Sequence, residues 1–310
     1  MDRVAIIGAG HVGATAAHVI AQRELADVVL IDIAGGTATG KSIDKMQALA
    51  IHGSHVNVHG TGDFSRLAGC GIAVVTAGFA RGPGMSRADL LKKNGGVISS
   101  VIAHIDEYAP DAIIIMVTNP LDEMTTYANG LTGRGRGKVF GMGGVLDSGR
   151  FTYFISQRLG VPPKSVSAMV IGAHGDAMIP LVDLATVDGE PLSELLSREE
   201  LAALVERTKK GGAEIISHLK TGSAYYGPGT GVAKMVEVIL RDQGETLPSS
   251  VFLAGEYGIK GTAIGVPAVF GRSGMHSVVD IKLTAAEAEV LKDSASVIKS
   301  SVEELRAGGA

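Results

Sequence analysis

Four short runs of consecutive apolar, mostly β-branched residues constrain this chain more than any other feature: Val4–Ile7, Val28–Ile31, Ile72–Val75 and Ile113–Val117. A strand with one wet face alternates apolar and polar residues, whereas a run with no polar member suits a strand buried on both faces. Several such strands in one chain call for a parallel sheet covered by helices on both sides. Segments of helical spacing lie between the runs. The stretch 12–23 puts Val12, Ala16, Val19 and Ile20 on one face, and Gly40–Ile51, Leu90–Tyr108, Leu121–Gly130 and Val145–Leu159 read the same way. Val139–Phe140 adds a further strand. This alternation predicts an α/β domain with a doubly wound parallel sheet.

Beyond Gly160-Val161-Pro162-Pro163 the pattern changes. Strands are expected at Val166–Ile171, Leu181–Val187, Val251–Tyr257, Ala263–Phe270 and Val278–Ile281. Ser197-x-x-Glu200 and Thr284-x-x-Glu287 are capping boxes, which open helices by satisfying backbone N–H groups. The first helix runs toward Lys220 with a bend expected at Gly211-Gly212, and another covers Thr230–Leu240. The chain of 310 residues therefore divides into an α/β domain over 1–144 and a mixed α+β domain over 145–310.

Hydrophobic residues make up 45% and charged residues 19%, enough for a large core. The net charge is −4 with scattered Lys and Arg, which argues against a nucleic-acid partner, since that needs a basic stripe. An anionic ligand must then be held by a few well-placed cations in a pocket. Cys70 is the only cysteine and adjoins an apolar run, so a buried thiol in a reducing compartment is expected. No apolar stretch approaches the roughly 20 residues that span a bilayer, and the chain passes from Asp2-Arg3 straight into a strand. A cytoplasmic protein with no membrane partner is expected. His52, His55 and His59 have no acidic or Cys ligand at a recognisable spacing, so no metal is expected.

Gly8-Ala9-Gly10-His11-Val12-Gly13 joins the first strand to the first helix. In that context Gly8 permits a tight turn, Gly10 lets a pyrophosphate approach the backbone and Gly13 lets helix and strand pack closely. The helix N-terminus offers free N–H groups to phosphates. Asp32 closes the second strand about 20 residues on, where a carboxylate binds ribose hydroxyls and repels a 2′-phosphate. NAD is thus expected over NADP.

Gly172-Ala173-His174-Gly175-Asp176 places a histidine at a strand end between glycines, and Leu146-Asp147-Ser148-Gly149-Arg150 precedes it. Removing hydride from an alcohol carbon requires that the hydroxyl proton leave too, and an imidazole with an ordinary pKa near about 6.5 is a natural base. An Asp on its other nitrogen would fix the tautomer and stabilise the imidazolium. The loop Ala77–Arg87 is glycine-rich and carries Arg81 and Arg87 beyond the carboxyl end of a strand, as an anion-closing lid would. A non-catalytic NAD-binding module would need neither an Asp–His pair nor these arginines.

With these motifs and Val117-Thr118-Asn119-Pro120, the chain resembles the lactate/malate dehydrogenase family, over essentially its full length. Within that family it resembles the malate dehydrogenases of the lactate-dehydrogenase-like type. The resemblance implies a Rossmann domain followed by a catalytic domain, NAD as cofactor, and a homodimer or homotetramer. By the same resemblance His174 is the proton acceptor and Asp147 its partner. Arg150 grips the C1 carboxylate, Arg87 polarises the C2–oxygen bond and Asn119 orients the substrate oxygen. Gly8, Gly10, His11, Val12, Gly13, Asp32, Thr76, Ala77, Gly78, Asn94, Val117 and Asn119 would line the cofactor. Lactate-specific members usually carry Gln where this chain has Arg81, so a dicarboxylate substrate is expected, with a lactate-type or other 2-hydroxy acid enzyme as the alternative. The segment Gly222–Gly231 lacks the Thr-Ser-Trp of lactate dehydrogenases and resembles the malate-type pocket wall.

Overall fold

The computed structural model describes residues 2–80 and 84–308, with Arg87 described by its backbone alone. The first half runs β1 (Arg3–Ile7), α1 (His11–Gln22), β2 (Asp27–Ile31), α2 (Gly35–His52), β3 (Val58–Thr61), β4 (Ile72–Val75), α3 (Arg87–Tyr108), β5 (Ile113–Met116), α4 (Leu121–Leu131) and β6 (Val139–Gly141). Its strands are all parallel, in the order β3-β2-β1-β4-β5-β6. Side chains on a strand alternate between faces, and here both faces are covered. Val4, Ile6, Val28, Leu30 and Ile115 pack with Ala16 and Ile20 of α1 and Leu49 of α2. Ala5, Ile7, Val29, Ile31 and Ile114 pack with Ile98 and Ile102 of α3 and Met124 and Tyr127 of α4. This double burial explains the unbroken apolar runs, and each enclosed Ile or Leu contributes roughly 1.5–3 kcal/mol.

The second half continues with α5 (Gly144–Leu159), β7 (Val166–Ser167), β8 (Val170–Gly172), β9 (Met178–Pro180), β10 (Thr186–Val187), β11 (Glu190–Pro191), α6 (Leu192–Leu195), α7 (Arg198–Leu219), α8 (Tyr226–Leu240), β12 (Glu245–Ala254), β13 (Lys260–Gly271), β14 (Gly274–Val278) and α9 (Ala285–Ala307). It is not a separate layer. β12 pairs antiparallel with β6, through Ser250 opposite Gly141 and Val251 opposite Phe140, and the sheet goes on through β13, β8 and β9. Eleven strands thus form one sheet across both halves among the described residues.

Several sequence expectations shift in this half. The run 166–171 is two strands rather than one, because β7 joins a small three-stranded sheet with β10 and β11 while β8 joins the large one. Within 181–187 only β10 is a strand, preceded by a 3-10 turn at Val182–Leu184, and β9 forms just before it. β12 starts six residues before Val251, and β14 ends where the last strand was expected to begin. Both capping boxes form, and a third, Ser86 with Asp89, opens α3. α7 passes unbroken through Gly211 and Gly212.

The parallel register sets up the site. Ile7 is level with Ile31 and with Val75, and Val75 with Met116. The residues that follow, Gly8, Asp32, Thr76 and Val117, therefore stand along one edge, at the carboxyl ends of the strands, where such sheets take their ligands.

Candidate active site

Gly8 adopts φ +107°, and a Cβ there would lie 2.6 Å from Thr76 Oγ1 and 2.7 Å from Ala77 N, so no other residue fits this turn. Thr76 Oγ1 donates to the Gly8 carbonyl at 3.0 Å and locks β4 to the loop. A Cβ on Gly13 would run into that same carbonyl, whereas one on Gly10 would meet nothing within 4 Å. α1 begins without a side-chain cap or an acidic residue in its first turn. Its N-terminal N–H groups thus face open space beside Gly10, which fits the pyrophosphate of a dinucleotide. Asp32 accepts from Ala9 N at 2.6 Å and from Ala34 N at 2.9 Å, holding its carboxylate at the end of that same groove. Each oxygen keeps a lone pair for a ribose hydroxyl. Lys41, which sequence reasoning passed over, places Nζ 2.6 Å from the Ala9 carbonyl in the same corner.

Ala77 and Gly78 continue the edge. Thr118 Oγ1 donates to the Ala77 carbonyl at 2.7 Å, and a Cβ on Gly78 would press on the Thr118 methyl at 2.5 Å. Asn94, expected to line the cofactor, is fully buried. Its Oδ1 accepts from Phe79 N at 2.8 Å, and its Nδ2 donates to the Phe79 and Asn119 carbonyls at 3.2 and 2.6 Å. Asn94 therefore ties the loop that follows β4 to the Asn119 turn.

His174 sits on the five-residue loop between β8 and β9, brought opposite the dinucleotide edge by the continuous sheet. Its Nδ1 lies 2.7 Å from Asp147 Oδ2, and Arg150 Nη1 donates to the other Asp147 oxygen at 3.0 Å. Asp147 and Arg150 are one helical turn apart on α5, so both reach the same side of the imidazole. Asp147 is 2% exposed and His174 18%. Burial pulls the His174 pKa down. The Asp147 charge and hydrogen bond, with the Asp122 charge, outweigh it against Arg150 and leave the ring above its ordinary value.

Arg150 Nε is buried and meets no hydrogen-bond partner among the described residues. The rest of the guanidinium is open to the crevice, with the side chain 15% exposed, so Arg150 can meet an anion there. Gly211 of α7 packs against this side chain, since a Cβ there would lie 3.2 Å from Arg150 Cδ. The crevice, about 370 Å³, is lined by Arg150, His174, Asn119, Val12, Val117 and Lys209 among others. Lys209 belongs with Gly212, Ala213 and Ile216 to one stripe of α7 at helical spacing that faces this crevice. No sequence pattern flagged it. His11, at the start of α1, meets Tyr225, with ring centroids 5.1 Å apart. Arg87 starts α3, with its side chain outside the described residues, and Arg81 lies outside them entirely.

Another residue missed from sequence is Asp122, in the first turn of α4, where an acidic residue usually signifies only a favourable helix dipole. It is 3% exposed and accepts from the His174 backbone N–H at 2.7 Å and from Ser250 Oγ at 2.6 Å. Burial pushes its pKa up to about 6, even though Ser250, the His174 N–H and the His174 charge favour the anion. Cys70 is buried, and burial raises its thiol pKa. No helix among the described residues is long and apolar enough to cross a membrane.

Comparison with known proteins accounts for the whole length. A malate dehydrogenase from Roseiflexus sp. (strain RS-1) is 47% identical over 305 residues, 98% of this chain and 99% of that protein. The crystal structure of Cryptosporidium parvum malate dehydrogenase superposes with a TM-score of 0.96 at 37% identity, covering 99% of both chains. A Cryptosporidium parvum lactate dehydrogenase complexed with lactic acid and nicotinamide adenine dinucleotide gives 0.94 at 36%, covering 98% of both. The dinucleotide edge falls in residues 2–141, which match the lactate/malate dehydrogenase NAD binding domain, and the Asp147–His174 pair in residues 144–308, which match the alpha/beta C-terminal domain of the same group. Both halves of the site thus arrive at one answer, and the chain belongs to the lactate/malate dehydrogenase family.

Proposed function

We propose that this chain is an NAD-dependent malate dehydrogenase, moving a hydride reversibly between (S)-malate and NAD to give oxaloacetate and NADH. The observation that carries the reading is a histidine held by a buried carboxylate, in a crevice that it lines together with an arginine. When bound, the nicotinamide ring takes up or gives back the hydride. The chain handles the charges and the proton. Arg150 holds the C1 carboxylate through its free donors, and His174 Nε2 faces the C2 oxygen. As the C2–H bond breaks, the hydroxyl proton passes to Nε2, and Asp147 steadies the resulting imidazolium through Nδ1. In reduction the imidazolium returns that proton to the carbonyl oxygen.

In this reading Asn119 orients the reacting oxygen, Arg87 polarises it, and Arg81 pairs with the second carboxylate. Asn94 supports the cofactor wall formed by Gly78, Phe79 and Asn119. We take 1–144 as the cofactor half and 145–310 as the catalytic half, and the enzyme as a cytoplasmic homodimer or homotetramer of the tricarboxylic acid cycle. Support for the last points is the family resemblance.

Lactate and malate relatives share this fold, so the test lies in the substrate. With NADH, kcat/KM should favour oxaloacetate over pyruvate. Arg81→Gln should lower the oxaloacetate value by roughly 10²-fold, as loss of a charge-assisted pair implies, and raise the pyruvate value. Equal losses on both substrates would make Arg81 a general lid contact and remove the ground for malate.

A further inference from the structure

The mechanism above uses Asp147 on the His174 ring and leaves unexplained a second buried carboxylate on the same residue. Asp122 comes from α4, in the cofactor half, and meets the His174 main chain, whereas Asp147 of α5 meets its ring. Its two oxygens are divided between the His174 main-chain N–H at 2.7 Å and the Ser250 hydroxyl of β12 at 2.6 Å. α4, β12 and the β8–β9 loop are thereby joined at one carboxylate, 3% exposed. A neutral side chain could fill that space at less expense, since an ion out of water is disfavoured unless its charge is used.

We propose that Asp122 is a positioning residue for the dehydrogenase reaction: it pins the His174 main chain to the cofactor half and supplies a second negative charge that supports the His174 imidazolium. The inference rests on the assignment of His174 as proton carrier. The charged groups that bear on Asp122 are His174 from the β8–β9 loop and Glu123 beside it, and Ser250 of β12 adds a hydroxyl. Asp147 of α5 holds the His174 ring, and Arg150 of the same helix bears on it through its charge. β6 carries no ionisable residue, and β13 only Lys260, at its exposed start. The Asp122 charge is among the influences that raise the His174 pKa. Burial pushes the Asp122 pKa up to about 6, while Ser250, the His174 N–H and the His174 charge favour its anion.

Asp122→Asn separates the proposed role from a structural one. The amide oxygen can still accept from the His174 N–H and the amide nitrogen can donate to Ser250, so the loop stays anchored while the charge is lost. The measurements are NADH affinity by fluorescence and the pH profile of oxaloacetate reduction on the intact enzyme. NADH affinity should stay within about twofold, kcat should fall on the order of tenfold, and the decline of reduction at alkaline pH should move to lower pH. Ser250→Ala, which weakens the anion without removing it, should shift the decline the same way by less, and it serves if the Asn variant does not fold. An alkaline decline that stays where it is in the wild type overturns the proposal, whatever happens to kcat. Full turnover in His174→Asn would instead overturn the assignment of His174 on which it rests.

Discussion

Replacing Asp147 by Asn removes the group that, on this reading, turns an ordinary histidine into a proton carrier poised for both directions. The side chain is 2% exposed, and its oxygens hold His174 Nδ1 at 2.7 Å and Arg150 Nη1 at 3.0 Å. Asn has the same shape but no charge and a single acceptor, so one of the two partners would face an N–H group instead. A unit charge about 4 Å from the imidazolium centre, at an effective dielectric near 20, is worth about 4 kcal/mol. At ~1.4 kcal/mol per tenfold in rate, that is close to three powers of ten. An Asp-to-Asn change in the serine-protease triad lowers turnover by ~10⁴, the same range. The expected result is a drop of roughly 10³ in kcat for oxaloacetate reduction, followed as NADH absorbance, with NADH affinity nearly unchanged. The pH dependence carries its own sign. Reduction starts from the imidazolium, and His174 has a raised pKa, so wild-type reduction should persist to a higher pH than an ordinary histidine would allow. In Asp147→Asn that decline should move to lower pH, while malate oxidation should lose its acidic limb over the same interval. A variant with kcat within about threefold of wild type and an unmoved pH limb would refute the argument.

Two further changes probe the ends of the crevice. Asp32→Ala removes the acceptor for the ribose hydroxyls but leaves Lys41 in the same corner, so kcat/KM with NAD should fall about 10–100-fold and NADP use should rise. A wild type that already uses both cofactors equally would refute this. Lys209→Gln should raise the KM for oxaloacetate only about threefold to fivefold, because a partly exposed pair is worth at most ~1 kcal/mol, and should leave pyruvate unaffected. An unchanged oxaloacetate KM would make Lys209 a solvated cation.

The parallel half was legible because burial on both faces writes itself into composition: Val74 and Val75 point to opposite faces, and both must be apolar. β3 was invisible by the same logic, since Val58 and Gly60 are buried but His59 is exposed, and two buried positions make no pattern. The start of β12 was hidden by Pro248, Ser249 and Ser250, which read as a loop but are fully enclosed. α8 opens through Gly227-Pro228-Gly229, residues that signal breaks unless they fall in the first turn, where the missing N–H is harmless. In the site, His174, Asp147 and Arg150 were readable because they sit in recognisable local motifs. Asp122 and the hydrogen bonds of Asn94 were not, because their partners lie on other elements: Asp122 meets residues 52 and 128 positions away. Separation of that kind leaves no trace in local spacing.

The passage of one sheet through both halves also governs how the molecule can come apart. The ladder from β5 to β6 continues without a linker into β12, and Phe140 of β6 stacks edge-on against Phe270 of β13, with centroids 4.7 Å apart. A chain ended after residue 144 would leave β6 with a bare edge of unpaired N–H and C=O groups and an uncovered aromatic ring, the condition under which strands recruit other chains. The cofactor half is therefore recognisable as a unit in sequence, yet a fragment of it alone should associate or unfold. Heat or denaturant should find no weak seam between the halves, and the nucleotide groove and the His174 pocket should be lost together.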